Sequence, residues 1–402
     1  MRNHIVIVSE ESVYAGYYKC GIGEVVDTLA DELRQYYDVT VITPGKSKRI
    51  RKARVHTGTY GDDFYLDAAA LIQEMQPDLV HNFGRPDFIE RLTVDCIKVL
   101  SFDRWEEDIA DQLDSVPKYD HVTTLSAAYA EEMKAAYPEA AEWPLIGIIN
   151  GIDGGLYVPG GLFHSHSTRE KWRARVFNEL KLEDTGKPLI ISTGRFGEVK
   201  GTAQLIEAIP AIADMGAQLI VAGIGDTEYE KQLQQFHDAG KVYYLPRLGH
   251  YCETCVALSA ADFYLTPSLH EVCGLQPMKA ARMGSVPIVR PVGGMGQNFD
   301  KTNAVLITDT ISEAVERALA LTPDEYNTIR DKAMAGEWTW KTRVLPWVQL
   351  YGLETAPPEK STFRTTKTET GNVTTYSRTS AATNTTPVKG CPFAYKEETA
   401  NE

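Results

Sequence analysis

Pro267-Ser268-Leu269-His270-Glu271-Val272-Cys273-Gly274-Leu275-Gln276-Pro277-Met278-Lys279-Ala280-Ala281-Arg282-Met283-Gly284-Ser285-Val286-Pro287-Ile288-Val289-Arg290 is the stretch on which the fold turns. The apolar run from Asp262 to Thr266 stops at Pro267, a loop passes through Gly274, and Pro277 stands where a first helical residue would. Gly284 closes that helix and a second apolar run follows. Strand, glycine loop, short helix and strand make an α/β unit whose helix N-terminus offers free N–H groups and a positive dipole end to an anion. A phosphate group suits that end.

Glu271-Val272-Cys273-Gly274-Leu275 resembles the Glu-Pro-Cys-Gly-Leu donor motif of retaining GT-B glycosyltransferases, in particular the glycogen and starch synthase family. Related families place a second glutamate eight residues after the first to hold a ribose, and glucan synthases put tyrosine there. This chain has Lys279, which leaves the ribose contact unassigned.

Outward from that stretch the pattern alternates. Ile5-Val6-Ile7-Val8 is a buried parallel strand, and apolar residues at 22, 25, 26, 29 and 33 form a helical stripe after it. The intervening Lys19-Cys20-Gly21-Ile22-Gly23 resembles the family's Gly-rich loop, so Lys19, Gly21 and Gly23 are candidates for donor contact. Strands at 38–43 and 78–81 continue the series, and a side chain at a strand's carboxyl end, such as His81, can face a ligand crevice. The family's His-x-His-Asp-Trp run is matched by His81-Asn82-Phe83-Gly84-Arg85 only at its first histidine, which the resemblance sets near the reacting carbon. Asn150-Gly151-Ile152-Asp153 resembles the family's interdomain hinge, and Asn-Gly and Gly-Gly there give the backbone freedom.

A second βα series follows a polar connector. Strand 188–192 leads into Thr193-Gly194-Arg195-Phe196-Gly197-Glu198-Val199-Lys200-Gly201, which resembles the family's Arg-x4-Lys-Gly element. Bond cleavage between sugar and nucleotide leaves growing negative charge on a phosphate, and two fixed cations lower that barrier. Asp226 reads as a helix N-cap. Arg290-Pro291-Val292-Gly293-Gly294 resembles a glycine loop whose N–H groups face the ligand.

The resemblance implies a GT-B fold: two Rossmann-like, doubly wound parallel-sheet domains facing a cleft. The expected divisions are an acceptor-side domain at 1–150, a nucleotide-sugar domain at 151–336, a crossing helix at 337–354 and a disordered Ser/Thr-rich tail at 355–402. It further implies transfer of glucose from ADP-glucose or UDP-glucose to an α-glucan. Arg195 and Lys200 would take the diphosphate and Glu271 the sugar hydroxyls. Gly194, Cys273, Gly274, Leu275, Gln276, Gly293 and Gly294 would support the donor. Rival readings are a small-molecule, lipid or protein acceptor, or a lapsed nucleotide-sugar scaffold.

Composition bounds these readings. In 402 residues, 43% hydrophobic, there is apolar material for two domains, and a net charge of −14 disfavours nucleic acid and anionic membranes. The absence of a long apolar run leads to the expectation of a cytoplasmic protein. Six cysteines are scattered, and Cys252-Glu253-Thr254-Cys255 has no second pair to complete a metal site. No Asp-x-Asp occurs, so cofactor and metal are expected to be absent from the chemistry.

Overall fold

The computed structural model describes residues 2–13, 21–44, 54–58, 62–102, 107–158, 169–246, 251–355, 365–368 and 371–374. The chain divides into two compact units, Met1–Asp153 with Glu337–Ser380, and Gly154–Gly336.

The first unit runs β1 (His4–Ser9), α1 (Ile22–Leu33), β2 (Asp38–Pro44), β3 (Arg54–Gly58), α2 (Asp62–Met75), β4 (Leu79–Phe83), β5 (Ile97–Phe102), β6 (His121–Thr124), α3 (Ala127–Ala136) and β7 (Leu145–Gly147). Its seven strands pair in the order β3-β2-β1-β4-β5-β6-β7, all parallel. Ile5, Val6, Ile7 and Val8 are each fully buried, which explains the unbroken apolar run: both faces of a parallel strand are covered by helices. Ser126 caps α3, its hydroxyl accepting from the Tyr129 N–H.

The second unit runs α4 (Arg169–Leu180), β8 (Leu189–Thr193), α5 (Thr202–Asp214), β9 (Gln218–Ala222), α6 (Thr227–Asp238), β10 (Tyr243–Leu245), α7 (Tyr251–Ala260), β11 (Phe263–Thr266), α8 (Leu275–Met283), β12 (Val286–Val289), α9 (Gly293–Asn298), β13 (Val305–Leu306), α10 (Ile311–Leu319) and α11 (Pro323–Ala335). Six parallel strands follow the order β10-β9-β8-β11-β12-β13. Asp226 caps α6 by accepting from the Glu228 N–H, and Thr310 and Thr322 form capping boxes with Glu313 and Glu325.

Two short helices, α12 (Trp340–Arg343) and α13 (Leu345–Tyr351), return to the first unit. The Trp340 indole donates to Thr28 Oγ1 at 2.7 Å, and Thr339 bridges Ile152. A Cβ on Gly151 would stand 2.6 Å from the Trp340 nitrogen, so packing against Trp340 also requires glycine there. In the tail, β14 (Thr365–Thr368) and β15 (Gly371–Thr374) pair antiparallel; the rest of that stretch lies outside the described residues. No helix among the described residues is long and apolar enough to cross a membrane.

Each sheet reverses direction of strand addition at one place. In the first unit β1 lies between β2 and β4; in the second β8 lies between β9 and β11. Crevices outside the carboxyl ends at such reversals are where open α/β sheets bind ligands.

Candidate active site in the second unit

The loops that leave β8 and β11 meet at the reversal of the six-stranded sheet. Val199 carbonyl accepts from the N–H groups of Leu269 and His270 at 3.0 and 3.1 Å, joining the loops backbone to backbone. Gly201 has φ +65°, and a Cβ on it would lie 2.2 Å from the Pro267 carbonyl oxygen. That position requires glycine on both counts.

Across this seam the Lys200 ammonium donates to Glu271 Oε2 at 2.8 Å, with the side chains 32% and 20% exposed. Ser268 hydroxyl lies 3.4 Å from the same carboxylate oxygen. Arg195, exposed and in the same loop, has no ion-pair or hydrogen-bond partner among the described residues. The structure therefore brings Lys200 and Glu271 together and leaves the Arg195 guanidinium to solvent.

Helices α5 and α8 both begin here, N-capped by Gly201 and Gly274, and neither receives a side-chain cap bond. The Thr202 N–H at the start of α5 is taken by the Gly197 carbonyl at 3.4 Å; the other first-turn N–H groups have no acceptor within their own helix and can meet one from outside. Helix α8 starts at Leu275, so Pro277 is its third residue, not its first; the missing N–H is harmless anywhere in that turn. Gly274 has φ +83° and Gly284 closes the helix at φ +95°. Buried Cys273 gives its carbonyl to Asn298 Nδ2 at 3.1 Å. Half-buried Gln276 has an Oε1 with no hydrogen-bond partner.

Several expectations are corrected by position. His81 is 0% exposed, with Nδ1 2.7 Å from Tyr351 hydroxyl and Nε2 2.7 Å from Ser101 hydroxyl, between Phe83 and Trp347 rings. It is a core histidine whose nitrogens are both used, and burial lowers its pKa to about 3. Gly21 caps α1 with helical dihedrals and Gly23 is buried inside that helix's first turn, so neither supplies a glycine-only loop. Lys19 lies outside the described residues. Gly294 spends its N–H on the Glu271 carbonyl at 3.0 Å instead of presenting it to a ligand. A Cβ on Gly293, at φ +49°, would meet that same carbonyl oxygen at 2.1 Å, so the pair props the Glu271 loop from behind. Gly194 is exposed, its N–H bonded to Ala222 carbonyl. Lys279 is 2% exposed, its ammonium 5.1 Å from the centre of the Tyr157 ring, which makes it a packed residue of α8.

Sequence reading passed over Thr193, Tyr264 and Asn298. Tyr264 hydroxyl, wholly buried and with its pKa raised by that burial, pairs with Thr193 Oγ1 at 2.7 Å and fixes the end of β8 against β11. A tyrosine inside an apolar strand was the available signal; Asn298 offered none.

Residues 187–323 match the family described as glycosyl transferases group 1. The glycogen synthase of Marinobacter nauticus is 29% identical over 263 residues, 58% of this chain and 54% of that protein. That of Streptococcus equi is 27% identical over 285 residues, 62% and 59% respectively. The chain spans a little over half the length of these relatives. Among solved structures, the catalytic domain of starch synthase IV from Arabidopsis thaliana, bound to ADP and acarbose, superposes with a TM-score of 0.73 at 18% identity. That match covers 87% of this chain and 99% of that one. Sucrose-phosphate synthase from Thermosynechococcus elongatus gives a TM-score of 0.66 at 19% identity, over 87% and 98%. The fold is thus GT-B, and the sequence is similar to glycogen synthases.

Proposed function

We propose, from a glycosyl transferases group 1 domain built around the Lys200–Glu271 seam, that this chain is a retaining glycosyltransferase. Its donor is ADP-glucose or UDP-glucose and its acceptor an α-glucan. The observation that carries the reading is the ion pair at the sheet reversal, set beside two helix N-termini without side-chain caps.

In this reading Arg195 and Lys200 meet the departing diphosphate. Charge that develops on the leaving oxygen is stabilised by cations already in place, at no cost in reorganisation. Helix dipoles of α5 and α8 add partial positive charge of the same sense. Glu271 accepts hydrogen bonds from donor sugar hydroxyls, while the backbone from Cys273 to Gln276 supports it. The acceptor hydroxyl attacks from the face the diphosphate leaves, and the leaving phosphate oxygen takes its proton. The reaction so drawn needs no metal, because the positive charge comes from side chains and helix ends.

Incubation with ADP-glucose and UDP-glucose in the presence of glycogen tests the proposal. Proton NMR of the product should show an α linkage from the α donor. A β linkage contradicts retention, and failure with both donors contradicts the activity. A second reading is transfer to a small-molecule, lipid or protein acceptor. Turnover of donor with acceptors other than glycogen selects it. Donor binding without any turnover selects the lapsed scaffold, to which the sequestered His81 lends support.

A further inference from the structure

Opposite the Lys200–Glu271 seam, at the amino ends of β8, β11 and β12, the second unit holds a cavity of about 190 Å³. Arg169 marks its place: Nη1 donates to Asp262 Oδ1 at 3.1 Å and to the Tyr326 hydroxyl at 2.6 Å, and Nη2 to the Gly284 carbonyl at 2.5 Å. Asp262 precedes β11 and accepts from the Leu189 N–H that opens β8, while Gly284 ends α8 just ahead of β12. A Cβ on Gly284 would lie 3.4 Å from Met334 Sδ and 4.0 Å from Arg169 Nη2. The opening that glycine leaves is thus bounded by a thioether and a guanidinium, both part of the cavity lining.

The lining divides into two chemistries. Met283, Met334 and Trp172 form apolar walls, soft thioethers beside an indole, which suit a flat ring. The polar rim is Arg169, Arg330 and Asp331. Arg330 donates through Nε and Nη2 to Oδ1 of Asp331, its neighbour in the chain, at 3.0 and 2.8 Å, and that carboxylate is 66% exposed. So exposed an ion pair contributes little, and a ligand anion can take Arg330 from it. Both guanidiniums lie near the Tyr326 ring, 5.5 and 6.0 Å from its centre, which keeps the two together. In the linked ionic set, the guanidiniums of Arg169, Arg173, Arg282 and Arg330 meet the carboxylates of Asp184, Asp262 and Asp331. Arg282, whose Nη1 lies 3.4 Å from the Met334 carbonyl, has no carboxylate partner among the described residues. One positive charge is left over in this set, within a chain of formal charge −14. A single local excess charge matches a monoanion better than a phosphate dianion.

We propose that this cavity is a binding site for a small aromatic carboxylate, its ring between Met283, Met334 and Trp172 and its carboxylate on Arg330 with the Arg169 charge beside it. Guanidinium and carboxylate match as a planar two-point pair. The proposal stands apart from the glycosyltransferase reading, because the cavity lies at the other end of the strands from the loops that reading uses.

Calorimetric titration of the full chain with phenylacetate tests it, with phenylacetamide as the uncharged counterpart. Wild type binds phenylacetate with a Kd of about 1 mM or tighter, the range open to so small a ligand, and binds phenylacetamide about tenfold more weakly. Arg330→Gln brings phenylacetate down to the level of the amide, and Asp331→Asn, which removes the competing carboxylate, tightens it several-fold. Thermal melts of both variants matching wild type show that the fold is kept. ADP and UDP leave the affinity for phenylacetate unchanged. The proposal is overturned if wild type does not bind phenylacetate, if phenylacetamide binds as tightly, or if Arg330→Gln and Asp331→Asn bind phenylacetate as wild type does. Displacement of phenylacetate by ADP or UDP also overturns it, since the ligand would then sit in the donor site.

Discussion

Lys200 and Glu271 are 2.8 Å apart and each is mostly shielded, so an anion that approaches the ammonium competes with the carboxylate already beside it. Glu271→Gln keeps the shape and removes the competing charge. Calorimetry should show nucleoside diphosphate binding several-fold tighter, on the order of 1 kcal/mol for a partly exposed pair, while glucose transfer falls. Weaker nucleotide binding in that variant would mean that Glu271 does not oppose the anion. His81 gives a second test at this scale. Its pKa drops from 6.5 to about 3 because the charged ring cannot be solvated in the core. The unfolded chain therefore binds a proton that the native state refuses between those values. Stability from His81 is complete above pH 6.5 and is lost as pH falls toward 3, by about 1.4 kcal/mol per pH unit. Urea unfolding at pH 7 and pH 5 should show His81→Asn losing less than wild type over that interval. Equal slopes would contradict a neutral core histidine.

At the scale of elements, α8 and its two supporting glycines decide where Glu271 sits. Gly293→Ala puts a methyl where the Glu271 carbonyl lies, at a φ of +49° that already costs an L-residue about 1–2 kcal/mol. Urea denaturation should show at least that loss, and donor turnover should fall further because the Glu271 backbone must move; unchanged turnover would show that Gly293 does not position it. This element was legible from sequence because Pro267, Gly274 and Gly284 each mark a backbone event by residue type, whereas the start of α8 at Leu275 is set by hydrogen bonding that no residue type announces. Helix α4 went unread for the opposite reason. Only Trp172, Val176 and Phe177 of its twelve residues are buried, too few to stand out from a polar connector. Strand β3 and the two-residue β13 are edge strands with little periodicity to read. His81 misled because a strand-end histidine has the same sequence whether it faces a crevice or a core; Tyr351 hydroxyl, 270 residues away, chose the core.

Across the whole molecule, two parallel sheets each reverse strand order once, and the reversal in the second unit brings together polar side chains from two loops. The alternation of apolar runs and helical stripes implied two βα series, since parallel strands need a crossover after each one, and the GT-B resemblance implied that each makes a doubly wound sheet. Their strand order was not legible, and it is the order that puts residue 200 beside residue 271. The formal charge of −14 gives the molecule a field that disfavours anions in general, which makes local cations at one reversal the more decisive. The central claim is that Lys200 stabilises a departing diphosphate. Steady-state turnover of the nucleotide glucose donor that wild type uses, measured with Lys200→Ala, tests it most directly: loss of one such preorganised charge lowers kcat about 100-fold or more. A variant that releases nucleoside diphosphate at the wild-type rate would contradict the claim.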